Sequence, residues 1–225
     1  MFTNVNLVAP LGVLGFLGIG FLLAVLGIAQ IVSLLLRKFL LARMLFASCA
    51  GMTVAYLGLM LLFSVVSSER VLARGQEKHF CEIDCHLAYS IQDVRQTKTL
   101  GELPYEKTAR GTFYIVTVKT RFDENTISAR RGNGLLYPNP RSIAVVDESG
   151  DQFQQLPNLT AQSPGTSTPI TTPLRPGEAY ATILVFDLPS GINRPVLLIN
   201  ESDWITHLII GHENSLLHKK TSFQI

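Results

Sequence analysis

Acidic side chains are absent from the first 66 residues of this 225-residue chain, and the only basic ones there are Arg37, Lys38 and Arg43. Charged residues make up 16% of the whole, against about 25% in ordinary soluble domains, so the deficit is local. The remaining 159 residues hold 16 Lys/Arg and 17 Asp/Glu. That near-neutral balance lacks the basic face or tail of a nucleic-acid binder. No acid, lysine or histidine interrupts the apolar runs, which argues against a proton or ion path and against transport. No Ser-x-x-Lys, Gly-x-Ser-x-Gly, His-Glu-x-x-His, P-loop or dinucleotide fingerprint occurs. The sequence therefore assigns no catalytic, metal or cofactor-binding residue, and neither a cofactor nor a small-molecule substrate.

What is present begins with two long apolar runs, residues 11–36 and 44–66. At about 1.5 Å per residue either crosses a hydrocarbon core of about 30 Å. The connection at 37–43 carries all three charges, so residues 1–66 are expected to form an antiparallel transmembrane hairpin. The positive-inside rule keeps the basic loop in the cytoplasm. The N-terminus and everything after Val66 then lie on the extracytoplasmic side of an inner or plasma membrane. Three other readings fit less well. A cleaved signal peptide would need a basic n-region and a shorter apolar stretch. Ala47-Ser48-Cys49 resembles a lipobox, but only five residues separate Arg43 from Cys49 and the apolar run continues past Cys49. A soluble helical pair would need a polar face. Ala47, Gly51 and Ala55 form a small-residue ridge, as do Gly20 and Ala24, expected to be the seam between the helices or a dock for a second membrane protein.

Residues 67–79 are polar and read as a stalk. Beyond them the period changes to 2, and residues 80–225 are expected to form an all-β domain, an antiparallel Ig-like β-sandwich. The expected strands are Ile83–Ile91, Thr112–Phe122, Ser142–Val146, Gln152–Leu156, Ala179–Phe186, Pro195–Asn200, Thr206–Ile210 and a closing edge at Lys220–Ile225. About 145 residues can bury an adequate core without a disulfide. Two long loops, Arg130–Arg141 and Asn158–Pro173, are where a sandwich would carry function. The first surrounds an exposed-looking Leu135-Leu136-Tyr137 tip with three arginines, either a tip touching partners or headgroups or a solvated loop. Trp204 is expected in the core or at a sheet edge. Of the histidines near the C-terminus, His207, His212 and His218, the last two are expected at the surface. Asn158-Leu159-Thr160 and Asn200-Glu201-Ser202 match the glycosylation acceptor, a pattern short enough to arise by chance.

One cluster suggests chemistry. His79-Phe80-Cys81-Glu82-Ile83-Asp84-Cys85-His86 offers thiols and imidazoles of the kind that bind copper or zinc. In composition it resembles the copper loop of cytochrome oxidase subunit II, although that loop lies late in its domain and has a following methionine. In an extended strand Cys81 and Cys85 share a face about 13 Å apart, too far for one metal or a disulfide. A turn at 81–85 would permit either. The expectation is two inward apolar residues, with His86 outward; a copper site at Cys81, Cys85 and His86, and a disulfide, are the alternatives.

The succession Gly111–Phe122, then Val146–Phe153, then Pro176-Gly177-Glu178 leading into Leu184–Pro189, resembles the telokin-like, immunoglobulin-fold extracytoplasmic domains that bacteria attach to membrane anchors. Where that family usually ends a strand in Asn, this chain has Arg121-Phe122-Asp123. The family shares no catalytic residues. The resemblance implies a non-enzymatic module for protein–protein interaction or assembly in the cell envelope, its partners the lipid bilayer and a membrane or envelope protein. Two rivals remain: a copper-handling accessory protein, and a structural subunit of a larger membrane complex.

Overall fold

The computed structural model describes residues 8–80, 85–125, 132–160 and 165–225. Helix α1 runs Val8–Leu35 and α2 Phe39–Val66. The link is shorter than the charge pattern indicates, because α2 already begins at Phe39 and takes in Arg43. Leu36, Arg37 and Lys38 alone make the turn, with Arg37 at φ 55°. Both helices are long and apolar enough to span a bilayer. They pack on each other, and their less exposed positions recur every three or four residues, Phe16, Ile19, Leu23 and Leu26 on α1 and Leu45, Cys49, Met52 and Tyr56 on α2. The small residues do not form that seam. A methyl group added at Gly20 or Gly51 would meet no atom within 4 Å, and Ala47 and Ala55 are exposed. The ridge of Ala47, Gly51 and Ala55 therefore faces outward.

Nine strands follow among the described residues: β1 (Arg70–Leu72), β2 (Lys78–Phe80), β3 (Leu87–Leu100), β4 (Lys107–Phe122), β5 (Arg141–Val146), β6 (Gln152–Gln154), β7 (Ala179–Leu188), β8 (Val196–Glu201) and β9 (Thr221–Gln224). They form two sheets, ordered β1-β9-β8-β5-β6 and β2-β3-β4-β7. All pairs are antiparallel except β1 with β9. The chain is thus two apolar helices followed by an all-β antiparallel sandwich. The stretch read as a stalk supplies β1 and β2. The closing strand is not an edge, because β9 lies between β1 and β8.

Strand alternation places the core. Val116, Val118 and Phe122 of β4, with Leu184, Phe186 and Leu188 of β7, meet Val145, Leu197, Ile199 and Phe223 of the opposite sheet. The intervening Phe113, Ile115, Ile183 and Val185 form a second apolar cluster with Leu156 and Leu159 beside it. Strands β4 and β7 are buried on both faces, which is why they read as continuous apolar runs. The long loop after β6 therefore has a structural task. It contains a single-turn helix, α3 (Pro157–Thr160), and bonds along β7. Leu156 N donates to the Val185 carbonyl at 2.8 Å, Thr168 N to the Ala181 carbonyl at 2.9 Å, and Ile183 N to Ser167 Oγ at 2.9 Å. These bonds occupy the groups that β7, as an edge strand, would otherwise present to another chain.

Close approach explains the two motif ends that carry the family resemblance. A methyl group at Gly111 would overlap the Leu188 carbonyl. Beside it, Asp187 accepts from the backbone N–H groups of Arg110 (2.9 Å) and Gly111 (3.0 Å). The Arg175–Glu178 turn is closed twice, by Glu178 N donating to the Arg175 carbonyl (3.0 Å) and Arg175 N to Glu178 Oε2 (2.7 Å).

Two compact units make up the chain. The helices and Asp203–Lys219 belong to one; Glu69–Ser202 with Lys220–Ile225 make up the other. The strand expected at Thr206–Ile210 is instead a 3-10 turn, Trp204–Leu208, opened by Asp203 Oδ1 accepting from Ile205 N at 3.0 Å. The apolar alternation there is too short to outweigh an Asp cap.

Candidate functional site

The cysteine-histidine cluster behaves differently from its sequence reading. Cys85 is fully buried, sits at φ 56° and is disulfide-bonded, while Cys49 is a free thiol. Cys81, with Glu82, Ile83 and Asp84, lies outside the described residues. A left-handed residue cannot continue a strand, so the alternation does not describe the backbone at Cys85, and β3 starts only at Leu87. A copper site using Cys85 would need its thiolate, and the sulfur is committed to the disulfide. Nor does His86 point outward. It is buried, stacked on the Phe122 ring with centroids 4.7 Å apart. Its Nδ1 donates to the Asp123 carbonyl at 2.5 Å, and Asp123 N donates back to the His86 carbonyl at 2.7 Å.

The same corner holds a charge cluster that sequence reasoning missed. Strand β4 delivers Arg121 and leads directly into Asp123, while Glu77 and His79 flank and enter β2. Arg121 grips Glu77 with two parallel bonds, Nε to Oε1 at 2.8 Å and a terminal nitrogen to Oε2 at 2.7 Å, and reaches Asp123 Oδ2 at 3.2 Å. His79 Nε2 donates to the same oxygen of Asp123 at 2.8 Å. The ligating atoms of Glu77, His79 and Asp123 lie within 4.8 Å of one another, a spacing that would suit a cation. Arg121, a permanent cation, already bonds to both carboxylates. Its hydrogen bonds hold the Glu77 carboxyl below its ordinary value of 4.5. Burial pushes Asp123 upward, yet the bonds from His79, Asn125 N–H and Arg121 outweigh it and hold the carboxyl below 3.8. The paired carboxylates in turn raise the pKa of Arg121. Carboxylates held in the ionised form by a fixed cation are poor proton donors and acceptors near neutrality. The arrangement fits a permanent ionic tie.

Two further sequence candidates turn inward. Leu136, read as part of an exposed tip, is buried and exchanges backbone bonds with Leu174 (2.9 and 3.1 Å); Leu135 and Tyr137 beside it are exposed. Arg141, read as a loop cation, opens β5 with its side chain fully buried. Its guanidinium lies 4.2 Å from the Phe80 ring centroid, 3.3 Å from Tyr89 Oη, and 3.5 Å from Glu201. Asn200 is also buried, its amide oxygen accepting from Lys78 Nζ at 3.3 Å, so this glycosylation match is not displayed. Arg130 and Arg131 lie outside the described residues. Trp204 is not a core residue; it is among the most exposed large side chains. His212 and His218, read as surface positions, are half-buried, whereas His207 is exposed.

No family model matches the chain, and no curated protein sequence does. Among solved structures it is similar to MPT63, a secreted protein from Mycobacterium tuberculosis. The identity is 13%, over 72% of this chain and 100% of that one, with a TM-score of 0.44. It is also similar to the yjhA protein of Bacillus subtilis, at 12% identity over 68% of this chain and 98% of that one, TM-score 0.41. An uncharacterized β-sandwich protein from Clostridium difficile matches at 8% identity over 71% and 95%, TM-score 0.41. Taken from its own sheets and helices, this chain is a β-sandwich protein preceded by two apolar helices.

Proposed function

We propose that the chain is a bilayer-anchored extracytoplasmic module of Ig-like, telokin-like type, acting in protein–protein interaction or assembly in the cell envelope and catalysing no reaction. One observation carries this reading: an apolar helix pair long enough to cross a membrane leads into the first strand of the sandwich through Ser67, Ser68 and Glu69. The basic turn Arg37-Lys38 orients the pair with the sandwich outside. The charged groups at the centre of the sandwich bond to one another and to the backbone, which suits a binding domain better than an enzyme. The exposed Leu135 and Tyr137 offer an apolar contact of the kind interfaces use. A photo-crosslinking residue at Tyr137, in the full chain in intact membranes, should give a discrete adduct that a residue placed at Asp151 does not. Recovery of monomer alone from both positions would count against the reading.

A second role, as a subunit of a larger membrane assembly, is favoured by the outward-facing ridge of Ala47, Gly51 and Ala55. Detergent-extracted protein would then co-migrate with a large complex, and Gly51→Leu would release it.

A further inference from the structure

The segment Asp203–Lys219 joins two strands of one sheet, yet it packs with the helices. Its polar and apolar sides are inverted relative to a loop built for water. Thr206, Asn214 and Ser215 are buried, at 6%, 6% and 4% exposure, while Trp204, Leu216 and Leu217 stand out at 68%, 58% and 66%. Ile205 and Leu208 are exposed with them.

The buried polar groups bond within the segment. Asn214 Nδ2 donates to Thr206 Oγ1 at 3.0 Å, Thr206 Oγ1 to the Asp203 carbonyl at 2.5 Å, and Ser215 Oγ to the Ile209 carbonyl. His207 Nδ1 donates to the Asn214 carbonyl at 2.6 Å, and His212 Nδ1 accepts from Asn214 N at 3.0 Å. Successive turns are closed by His212 N to the Ile209 carbonyl, Ser215 N to the His212 carbonyl and His218 N to the Ser215 carbonyl, at 3.2, 2.9 and 3.0 Å. Irregular backbone survives at membrane depth only when its polar groups are satisfied in this way.

Contacts with the helices set the depth. Tyr56 donates its hydroxyl to the Leu208 carbonyl at 2.6 Å. Tyr56 lies ten residues before the end of α2, about 15 Å along the helix axis. The helix is about 42 Å long against a hydrocarbon core of about 30 Å. Centring it puts Tyr56 about 9 Å inside the outer boundary of that core. Moving the basic turn up to the opposite boundary still leaves Tyr56 about 4 Å inside. On α1, Gly12 lets the Ile210 carbonyl approach so closely that a methyl group would overlap it. The segment returns to the end of α2 at Lys219, whose N–H donates to Ser67 Oγ at 2.8 Å. Between the terminal Asp203 and Lys219 the only acid is the half-buried Glu213.

We infer that Asp203–Lys219 is a re-entrant element of the outer leaflet, dipping beside the hairpin with Trp204, Ile205, Leu208, Leu216 and Leu217 in lipid. Its surface continues the lipid-facing surface of α1 and α2, and an indole at its start suits the headgroup boundary. The sandwich is thereby held to the bilayer at a second point, far along the chain from the hairpin. The inference rests on the hairpin crossing the membrane, and the two can fail separately. Loss of the full chain on alkaline extraction would overturn the hairpin, whereas the state of Trp204 in chain that stays inserted tests the segment.

Trp204 is the only tryptophan, so the full chain in phosphatidylcholine vesicles reports on this site directly. Its emission should be blue-shifted and quenched by lipids brominated on their acyl chains, more strongly at shallow than at deep positions, with aqueous iodide quenching weak. Leu217→Trp in a Trp204→Phe chain should behave alike, and Tyr56→Phe should shift Trp204 toward water. Emission typical of aqueous indole with full iodide access would overturn the inference. So would blue-shifted emission that brominated lipids leave untouched, since a protein surface would then cover the segment.

Discussion

Lys78 Nζ lies 2.8 Å from the carbonyl oxygen of Ile199, a bond that crosses from one sheet of the sandwich to the other. The same ammonium reaches the Thr221 carbonyl at 2.9 Å and the Asn200 amide oxygen at 3.3 Å. Three acceptors buried between the sheets thus share one cation, which joins β2 to β8 and β9. Replacing it with an apolar side chain of similar length leaves those acceptors without that donor, at a cost of about 2–4 kcal/mol. Lys78→Met should therefore lower the thermal unfolding midpoint of the sandwich, followed by circular dichroism on the full chain in micelles, by several degrees. An unchanged midpoint would mean that the ammonium only passes by these carbonyls.

The Glu77–Arg121–Asp123 tie gives the protein an acid-sensitive corner. Both carboxyls are held below their ordinary values in the folded state. Their contribution to stability is therefore complete above the unfolded values of 4.5 and 3.8, and it is lost as pH falls through the lowered folded values. Melting midpoints should be flat around neutrality with respect to this pair and fall below about pH 4. Arg121→Gln should lower stability at neutral pH and flatten or reverse the acid slope, because the buried Asp123 and half-buried Glu77 carboxylates would then lack their cation. A parallel downward displacement at every pH would contradict the assignment.

Gly111 of β4 lies hard against the Leu188 carbonyl of β7. Gly111→Ala forces a methyl group onto the Leu188 carbonyl and should cost about 1–3 kcal/mol through overpacking. Gly134→Ala, at a position with nothing within 4 Å, should leave the midpoint where it is. Equal midpoints for the two variants would show that the strands can separate freely there.

Legibility in the sequence follows the range of the interaction. The hairpin is plain because uninterrupted apolar runs have few other uses. Strands β4, β7 and β8 are plain because β-branched and aromatic residues fill both faces or alternate cleanly. Asp147–Asp151 is readable as a tight turn, and it closes on Asp147 Oδ1, which accepts from Ser149 N and Asp151 N. What the sequence hides depends on distant partners or on backbone hand. Leu136 looks exposed because its partner Leu174 is remote in sequence. Cys85 looks like a strand residue because alternation carries no information about a left-handed φ. Arg121 and Glu77 are 44 positions apart, so the tie has no local signature, although a buried-looking Arg beside an Asp at a strand end is a signal of sorts. The spacing of Ala47, Gly51 and Ala55 does make a ridge; only packing decides which way it faces.

The central claim is that the hairpin crosses the bilayer and places the sandwich opposite the basic turn. Alkaline phosphatase, active only outside the cytoplasm, tests it most directly when fused after Ile225 in one version of the chain and inserted between Arg37 and Lys38 in another. The account predicts activity from the C-terminal fusion and none from the insertion. Activity from the insertion and silence from the C-terminal fusion would contradict it.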